Sequence, residues 1–415
     1  MNRSISTNAE GLRPSLLPPE EADGPVRILF LSSQTLGFAT HSRSFEVYAE
    51  ANPSVDAVHV RLRPPAVIRS LGRQVPGAGR SGLDFHRYRY TRLWAREMRR
   101  WFRTRLPLNR FDLVHVMTQH QALALASIPY PTRPALVTQI DATTDQECRE
   151  FGATRLWRRP VIASERRVFA ASSLISCWST WAADSVIEHY GVPAGRVMVS
   201  RPAPIIAPNS CRQPVSRGGM VRICFVGNAW ERKGGDRLLR WHQARWKDRA
   251  ELHMFGEVPD APPNARNVIR YGPVPHAELM DLHLPQMDLL VIPTVQDTLL
   301  LAGIEAASRG VPVVTSRLAG VSETVQHGVT GLLCKPGDER EFADAVESLL
   351  SSPDRRAEMG RNAVEFVRTN WNADVWHPMY IDTLVEIAKR HRAMARPAAS
   401  GRKPGSHLPA PASGR

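Results

Sequence analysis

The chain has 415 residues, of which 43% are hydrophobic, and a formal net charge of +14 at pH 7. It is longer than one hydrophobic core usually supports, so we expect two domains. No run of residues approaches the roughly 18 apolar residues of a membrane span, and the N-terminal segment lacks the apolar centre of a secretory signal, so the sequence predicts a cytoplasmic protein.

The first half of the chain alternates between short β-branched runs and helical patterns. Residues 1–25 are rich in Pro and Ser and lack apolar periodicity, which is typical of a disordered segment. A first domain is predicted over 26–204, with strands at 27–33, 55–62, 112–118, 134–140, 173–179 and 197–200. Such alternation predicts a doubly wound parallel sheet with helices on both faces.

Basic residues are concentrated in this first domain. Between Arg61 and Arg110 there are fourteen arginines, against only Asp84 and Glu97. A block of this kind suits an anionic partner such as lipid headgroups, an acidic substrate or nucleic acid.

One part of the basic block, residues 87–106, also has an apolar stripe at helical spacing. The stripe consists of Tyr90, Trp94, Met98, Trp101 or Phe102, and Leu106. It is typical of a helix lying in a membrane interface, with Trp94 and Trp101 in the lipid and Arg99, Arg100 and Arg103 at the headgroups. A helix that packs the same stripe into its own domain explains the spacing equally well.

A second strand and helix series follows a polar linker at 205–220. It covers 221–371, with strands predicted at 221–227, 251–256, 268–272, 288–294, 311–316 and 331–336. The two series predict two Rossmann-like domains that face each other across a cleft, with ligands at the carboxyl ends of the strands. An apolar helix at 372–392 is placed to pack back on the first domain, and 393–415 reads as a disordered basic tail.

The first strand of the second domain ends in the loop VGNAWERKGG, residues 226–235. The chain has only five lysines among 54 basic residues, and the first of them is Lys233, next to Arg232. A lysine flanked by glycines at the end of a central strand indicates a compact charge facing a bound anion. Two solvated cations in a turn are the alternative.

A second polar constellation lies in the segment 292–316. Asp297 follows a strand, Glu305 comes eight residues later, and the helix that begins near Leu300 and Leu301 could receive a phosphate at its N-terminus. Two carboxylates at this spacing can accept hydrogen bonds from different hydroxyls of one sugar-containing ligand. Taken alone, they also fit a helix-start Asp and a solvated Glu.

Together with LAGVSETVQHGVTGLLCKPGD (318–338), these segments resemble the retaining, nucleotide-sugar-dependent glycosyltransferases of the GT-B fold, specifically family four. The order and spacing of the matching pieces hold over about 110 residues: Gly227–Gly235, Asp297–Glu305, Gly310–Ser316, Ala319–Glu323 and Gly328–Asp338. The first domain matches only in its strand pattern and in the loop QTLGFATH (34–41), which contains Gly37 and His41.

The resemblance implies a role for each matched residue. Lys233, helped by Arg232, would neutralise the diphosphate leaving group, and Asp297 would hold hydroxyls of the transferred sugar. Glu305 would bind the ribose. The remaining donor-binding positions implied by the resemblance are Gly37, Gly227, Asn228, the backbone of Leu300 and Leu301 for the phosphates, and Gly272 and Val274 beside the base.

Several positions depart from the family pattern. Asp297 is one methylene shorter than the usual Glu, Asn228 stands where an Arg is common, and Leu300 replaces a Gly. In the first domain, Ile140 falls where the family often has a His. The next residue, Asp141, could bind a sugar hydroxyl or the acceptor, or could help to cap the following helix. His120 is a further cleft candidate.

No D-x-D motif occurs in the chain, so we expect a metal-independent reaction in which Arg232 and Lys233 replace the cation, and no cofactor. The sequence therefore predicts a glycosyltransferase that uses a nucleoside-diphosphate sugar and a glycan or lipid-linked acceptor, with peripheral membrane binding as an open question. A sugar-nucleotide epimerase of the same fold is the alternative enzyme. A nucleic-acid-binding protein that uses block 61–110 is the alternative of another class, and it leaves the acidic pair unexplained, so no nucleic-acid partner is expected.

Overall fold

The computed structural model describes residues 4–6, 24–33, 36–72, 85–130, 132–152, 154–204, 219–260 and 262–395. They form two domains, each a parallel sheet with helices on both faces. The two doubly wound domains agree with the predicted fold class. The described part of the chain has no helix that is both long and apolar enough to cross a bilayer.

The first sheet has seven strands in the order β1-β3-β2-β4-β5-β6-β7, all parallel. The strands are β1 (Ser4–Ser6), β2 (Val26–Ser33), β3 (Val55–Leu62), β4 (Leu113–Met117), β5 (Ala135–Ile140), β6 (Leu174–Cys177) and β7 (Val197–Val199). The helices are α1 (Leu36–Ala51), α2 (Ala66–Leu71), α3 (His86–Thr104), α4 (Gln119–Ala126), α5 (Thr144–Phe151), α6 (Arg155–Ala171) and α7 (Thr180–Glu188).

Strand β1 differs from the sequence prediction for residues 1–25. Ser4, Ile5 and Ser6 pair with His59, Val60 and Arg61 of β3 as an edge strand. Their alternating Ser and Ile residues are too few to stand out as a strand in a sequence. Residues 1–3 and 7–23 of that segment lie outside the described residues.

Helix α3 contains the apolar stripe, and the structure places the stripe in the core of the first domain. Trp94, Met98 and Phe102 are at most 4% exposed and belong to the hydrophobic core under the sheet. Trp101 is half-buried and packs against that core. The membrane-interface interpretation is therefore wrong for Trp94, whose burial in the core stabilises the fold by about 2–3 kcal/mol. For the half-buried Trp101 it stays a prediction. The helix keeps an exposed face made of Arg92, Arg96, Arg100 and Arg103.

The second sheet has six parallel strands in the order β10-β9-β8-β11-β12-β13. These are β8 (Val221–Val226), β9 (Ala250–Phe255), β10 (Val268–Gly272), β11 (Leu289–Ile292), β12 (Val313–Ser316) and β13 (Gly331–Cys334). The helices are α8 (Trp230–Lys233), α9 (Gly235–Trp241), α10 (His276–Glu278), α11 (Leu301–Ser308), α12 (Glu339–Leu350) and α13 (Pro353–Asn370). Helices α9 and α10 continue as single π-helical turns at His242–Trp246 and Leu279–His283.

Helix α12 shows how the local sequence sets an element boundary. Its predicted capping residue, Asp338, accepts a hydrogen bond from the backbone N–H of Glu341 at 3.0 Å. The Glu341 carboxylate in turn accepts from the N–H of Lys335 at 2.8 Å. The first bond satisfies an amide that the start of a helix leaves without a partner, and the second joins the loop before the helix to its first turn.

The last helix, α14 (Ala373–Ala395), packs on the first domain rather than on the second. Tyr380 and Leu384 enter the core beneath β2 and β4, and the hydroxyl of Tyr380 lies 3.0 Å from Nε2 of His115. Arg392 forms an ion pair with Asp112 at 2.6 Å. Residues 396–415 and most of the linker 205–220 lie outside the described residues.

The two domains also meet directly beside the cleft. The Glu323 carboxylate, on the second domain, accepts hydrogen bonds from the backbone N–H groups of Thr180 at 3.0 Å and Trp181 at 2.8 Å. These amides open α7 of the first domain, where a carboxylate is electrostatically favoured. The contact fixes the position of the two strand-end edges relative to each other.

Candidate active site

The loop after β8 presents two cations to the cleft. Val226 ends the strand, and α8 then carries Arg232 and Lys233 in its single turn. The Lys233 stem lies directly over Gly227, where a Cβ atom would stand 2.5 Å from Cδ of the lysine. Gly234 follows with a φ of +77°, a conformation that L side chains avoid. The glycines on both sides of the lysine are therefore required by its position.

The two cations share a single carboxylate. Lys233 Nζ lies 3.5 Å from Oδ2 of Asp297, and Arg232 Nη1 lies 3.3 Å from Oδ1. Arg232 also donates to the carbonyl oxygen of Gln296. Asp297 is 9% exposed and sits between the cations at the end of the β11 loop. Around Asp297 the two positive charges outnumber the one negative charge, which leaves a local excess of positive charge facing the cavity.

Helix α11 begins at Leu301 without a side-chain cap, and its first two residues, Leu301 and Ala302, line the same space. Glu305 lies one turn further along. Its carboxylate oxygen Oε1 accepts a hydrogen bond from Nε2 of His276 at 2.8 Å, because an ionised carboxylate can only accept. The hydrogen bond to Glu305 raises the pKa of His276 above its ordinary value, against the opposing effect of burial.

The first domain contributes Asp141, which follows β5. The hydroxyl of Thr298, in the second domain, donates to Oδ2 of Asp141 at 3.1 Å. Burial, reinforced by the nearby Glu147 carboxylate, raises the pKa of Asp141 to about 6. A carboxyl group with this pKa exchanges a proton near neutral pH, which suits contact with a reacting hydroxyl.

These groups line one cavity of about 580 Å³ between the two domains. Nine of the residues predicted for the site lie along it: Asp141, Gly227, Asn228, Arg232, Lys233, Val274, Asp297, Leu301 and Glu305. Leu300 is fully buried in the core of the second domain, and only its backbone borders the start of α11. Gly272 ends β10 behind the cavity, where its carbonyl oxygen accepts from the N–H of Gly256 at 2.8 Å. Gly37 lies outside the described side chains.

Three residues of this cavity carry no sequence signal of their own. Thr298 adjoins Asp297 and reaches across to the other domain, Trp178 lies at the end of β6, and His276 begins α10 within the segment predicted to border the base. Only the tertiary structure brings them to the cleft. The candidate His120 instead bonds through Nδ1 to the hydroxyl of Thr91 at 3.0 Å, and His41 is buried among aromatic rings of the first domain.

Metal ligands are a separate matter from these anion-facing groups. Within the described ranges, no group of three or more His, Cys, Asp or Glu side chains is arranged to hold a metal ion.

Comparison with protein families gives two adjoining matches. Residues 38–202 match a family described as Glycosyltransferase Family 4, and residues 221–352 match one described as Glycosyl transferases group 1. A D-inositol 3-phosphate glycosyltransferase from Pseudarthrobacter chlorophenolicus is 26% identical over 63% of this chain and 67% of its own length. A glycogen synthase from Mycobacterium tuberculosis is 30% identical over 60% of this chain and 63% of its own. The chain thus spans about two thirds of the curated relatives that it matches.

Solved structures share the fold at lower identity. A sucrose-phosphate synthase from Thermosynechococcus elongatus superposes with a TM-score of 0.65 and 14% identity, over 87% of this chain and 98% of its own. HepE from Anabaena, in complex with UDP-glucose, superposes with a TM-score of 0.61 and 16% identity, over 87% of this chain and 99% of its own.

Proposed function

Because the chain belongs to the family 4 glycosyltransferases of the GT-B fold, we propose that it transfers a sugar from a nucleoside-diphosphate sugar to a glycan or lipid-linked acceptor, with retention at the anomeric carbon. The reaction would break the bond between the anomeric carbon and the β-phosphate oxygen. The acceptor oxygen would form the new bond on the same face, and its proton would pass to the departing phosphate. No protein nucleophile is required in this scheme.

The observation that carries the proposal is the convergence of Lys233, Arg232 and the start of α11 on one cavity. A diphosphate develops negative charge as the glycosidic bond breaks, and preorganised positive groups stabilise that charge most where water is excluded. Asp297 would then exchange its ion pairs with the cations for hydroxyls of the transferred sugar. Glu305 would accept the ribose hydroxyls one helical turn away.

The acceptor side of the proposal concerns the first domain. Asp141 lines the cavity from the first domain and Glu305 from the second. Asp141 would contact an acceptor hydroxyl. Helix α3 of the same domain offers the exposed face of Arg92, Arg96, Arg100 and Arg103. We propose that this face binds anionic headgroups by charge alone, and that the acceptor is part of a cell-surface glycan precursor made at the inner face of the membrane.

A donor screen tests the proposal. The full chain is melted with UDP-, GDP- and ADP-sugars at about 100 times their Kd, where a single bound donor adds about 2.7 kcal/mol and raises Tm by about 5 °C. Slow hydrolysis of the donor is followed in parallel. We expect nucleotide sugars of one base to stabilise the protein. Glu305→Gln should lower the affinity for that donor about 10- to 100-fold, because the charged hydrogen-bond acceptor is lost. Failure of every nucleotide sugar to raise Tm would contradict the proposal.

Vesicle flotation tests the arginine face. Vesicles of phosphatidylglycerol and phosphatidylcholine should carry the wild-type protein upward at low salt, and Arg96, Arg100 and Arg103 changed together to Glu should remove this binding. The matched control changes Arg340, Arg355 and Arg361, which are exposed on the second domain, to Glu. The two triple variants therefore carry the same net charge. Equal flotation of both triple variants would show that α3 is not the contact, and binding of the wild type to RNA instead of vesicles would favour a nucleic-acid partner.

A further inference from the structure

Glu305 and His276 stand between two cavities. On one side lies the 580 Å³ cavity with Lys233, and on the other a second cavity of about 440 Å³. Both residues line both cavities, and their 2.8 Å hydrogen bond forms part of the wall that the cavities share. The Glu305 side chain is 14% exposed and the His276 side chain 41%, so the bond can be reached by solvent and by a ligand.

We propose that His276 is a positioning residue for the donor, holding the Glu305 carboxylate in the orientation that receives the ribose hydroxyls. This inference rests on the proposed function, which assigns the ribose to Glu305. His276 does not touch the reacting atoms and acts through the carboxylate.

The geometry explains how one imidazole can do this. An ionised carboxylate has room for about four hydrogen bonds, and the N–H of His276 uses one of them on Oε1. The remaining positions, including all of Oε2, stay open to two hydroxyl groups of one ribose ring. A glutamate that is already held in one rotamer loses less conformational entropy when the ligand binds.

The charges around His276 make this positioning sensitive to pH. Glu305 faces the imidazole from α11 and raises its pKa, while Arg43 on α1 and Arg309, which follows α11, act in the opposite direction. Arg309 is itself paired with Asp281 at 3.0 Å. The imidazole therefore keeps its positive charge to a higher pH than a free histidine. In the charged form it holds Glu305 more strongly and adds a cation near an anionic donor, so donor affinity should fall as pH rises through that pKa.

The experiment measures Kd by calorimetry for the nucleotide sugar that gives the largest stabilisation in the donor screen, between pH 6.0 and 8.5. The phosphates of a nucleotide sugar are diesters and do not titrate in this range. We expect the wild-type Kd to rise about tenfold across the range, as a charge-assisted bond becomes a neutral one. His276→Gln, which keeps an N–H donor without a charge, should give a flat profile above pH 7, with Kd near the wild-type value at pH 8.5. Below pH 7 only the change due to Asp141, whose pKa is about 6, should remain.

Truncation separates positioning from catalysis. His276→Ala should bind donor about tenfold more weakly than the wild type at pH 7, with KM for donor hydrolysis raised and kcat unchanged. The matched control is His283→Gln. His283 lies on the same helical segment as His276, and its Nε2 lies 3.1 Å from Oε1 of Glu278. It lines neither of the two cavities. This control should keep the wild-type Kd and pH profile.

The outcomes distinguish this inference from the proposed function. If the wild type binds a nucleotide sugar and His276→Ala binds it equally well with the same pH profile, the positioning role is wrong and the donor site stands. A fall in kcat with unchanged KM would also overturn it. If the wild type binds no nucleotide sugar, the proposed function itself fails.

Discussion

Replacement of Lys233 by alanine should lower kcat for sugar transfer by about 10²- to 10³-fold, with a much smaller change in KM for the donor. The lysine is held with its stem over Gly227 and its ammonium group 3.5 Å from Asp297, inside the cavity between the domains. In the ground state its charge is partly offset by that carboxylate, which Arg232 shares. Its full effect is expected only when the diphosphate gains charge on leaving, which is a difference between transition state and ground state.

The measurement is transfer or hydrolysis of the donor chosen by the screen, at saturating and limiting concentrations. Lys335→Ala is the matched control, because it removes the same charge from an exposed position of the same domain. Lys233→Arg should recover little activity, since a planar guanidinium does not reproduce the compact ammonium group beside Asp297. Equal loss in the two alanine variants would show that only the overall charge of the domain matters.

The repeated alternation of strands and helices was sufficient to predict the two parallel sheets. Strands buried on both faces read as continuous apolar runs, and β4 and β11 are buried along their whole length. The loop with Lys233 could also be recognised, because the glycines beside it are required by local geometry that any similar site must satisfy. Local signals of this kind can be recognised in a single sequence.

Features that depend on packing between distant segments could not be predicted in the same way. The stripe of Trp94 on α3 has the same spacing whether it meets lipid or the domain core, and only the tertiary structure places it in the core. The hydrogen bond between His276 and Glu305 joins residues 29 positions apart on different helices. The contact of Thr298 with Asp141 spans 157 positions and two domains. No periodicity encodes such pairs.

Acidification from pH 7.5 to 5.0 should destabilise the protein by on the order of 5 kcal/mol, because buried neutral histidines take up protons on unfolding. Three of them lie together in the core of the first domain, and His120, whose pKa is lowered by burial to about 4, acts in the same direction. His41 of α1, His115 of β4 and His377 of α14 pack around Phe45, with the rings of His41 and His377 5.4 Å apart. Burial lowers the pKa of His115 to about 3 and of His377 to about 4, and it lowers that of His41 well below the usual value.

The sign follows from proton binding. A histidine in the unfolded chain has a pKa near 6.5, so below this pH the unfolded state binds more protons than the native state and stability falls. As the pH falls from 7.5 to 5.0, His115 and His377 each contribute a loss of about 2 kcal/mol, and His41 contributes in the same direction. Asp141 acts in the opposite direction, because its pKa is raised to about 6 and the native state binds its proton before the unfolded state does. This stabilises the protein by roughly 1.4 kcal/mol as the pH falls to 5.0.

Urea unfolding monitored by tryptophan fluorescence at pH 7.5, 6.5, 5.8 and 5.0 measures the effect. The midpoint should be nearly constant above pH 7 and should then fall with increasing slope. His41→Phe replaces one imidazole by a ring that suits its neighbours Trp178 and Phe45, and it should make the slope smaller than in the wild type. Because α14 carries His377 across to the first domain, acid should release this helix together with that domain's core. A midpoint that is independent of pH down to 5.0 would mean that these histidines are not buried in neutral form.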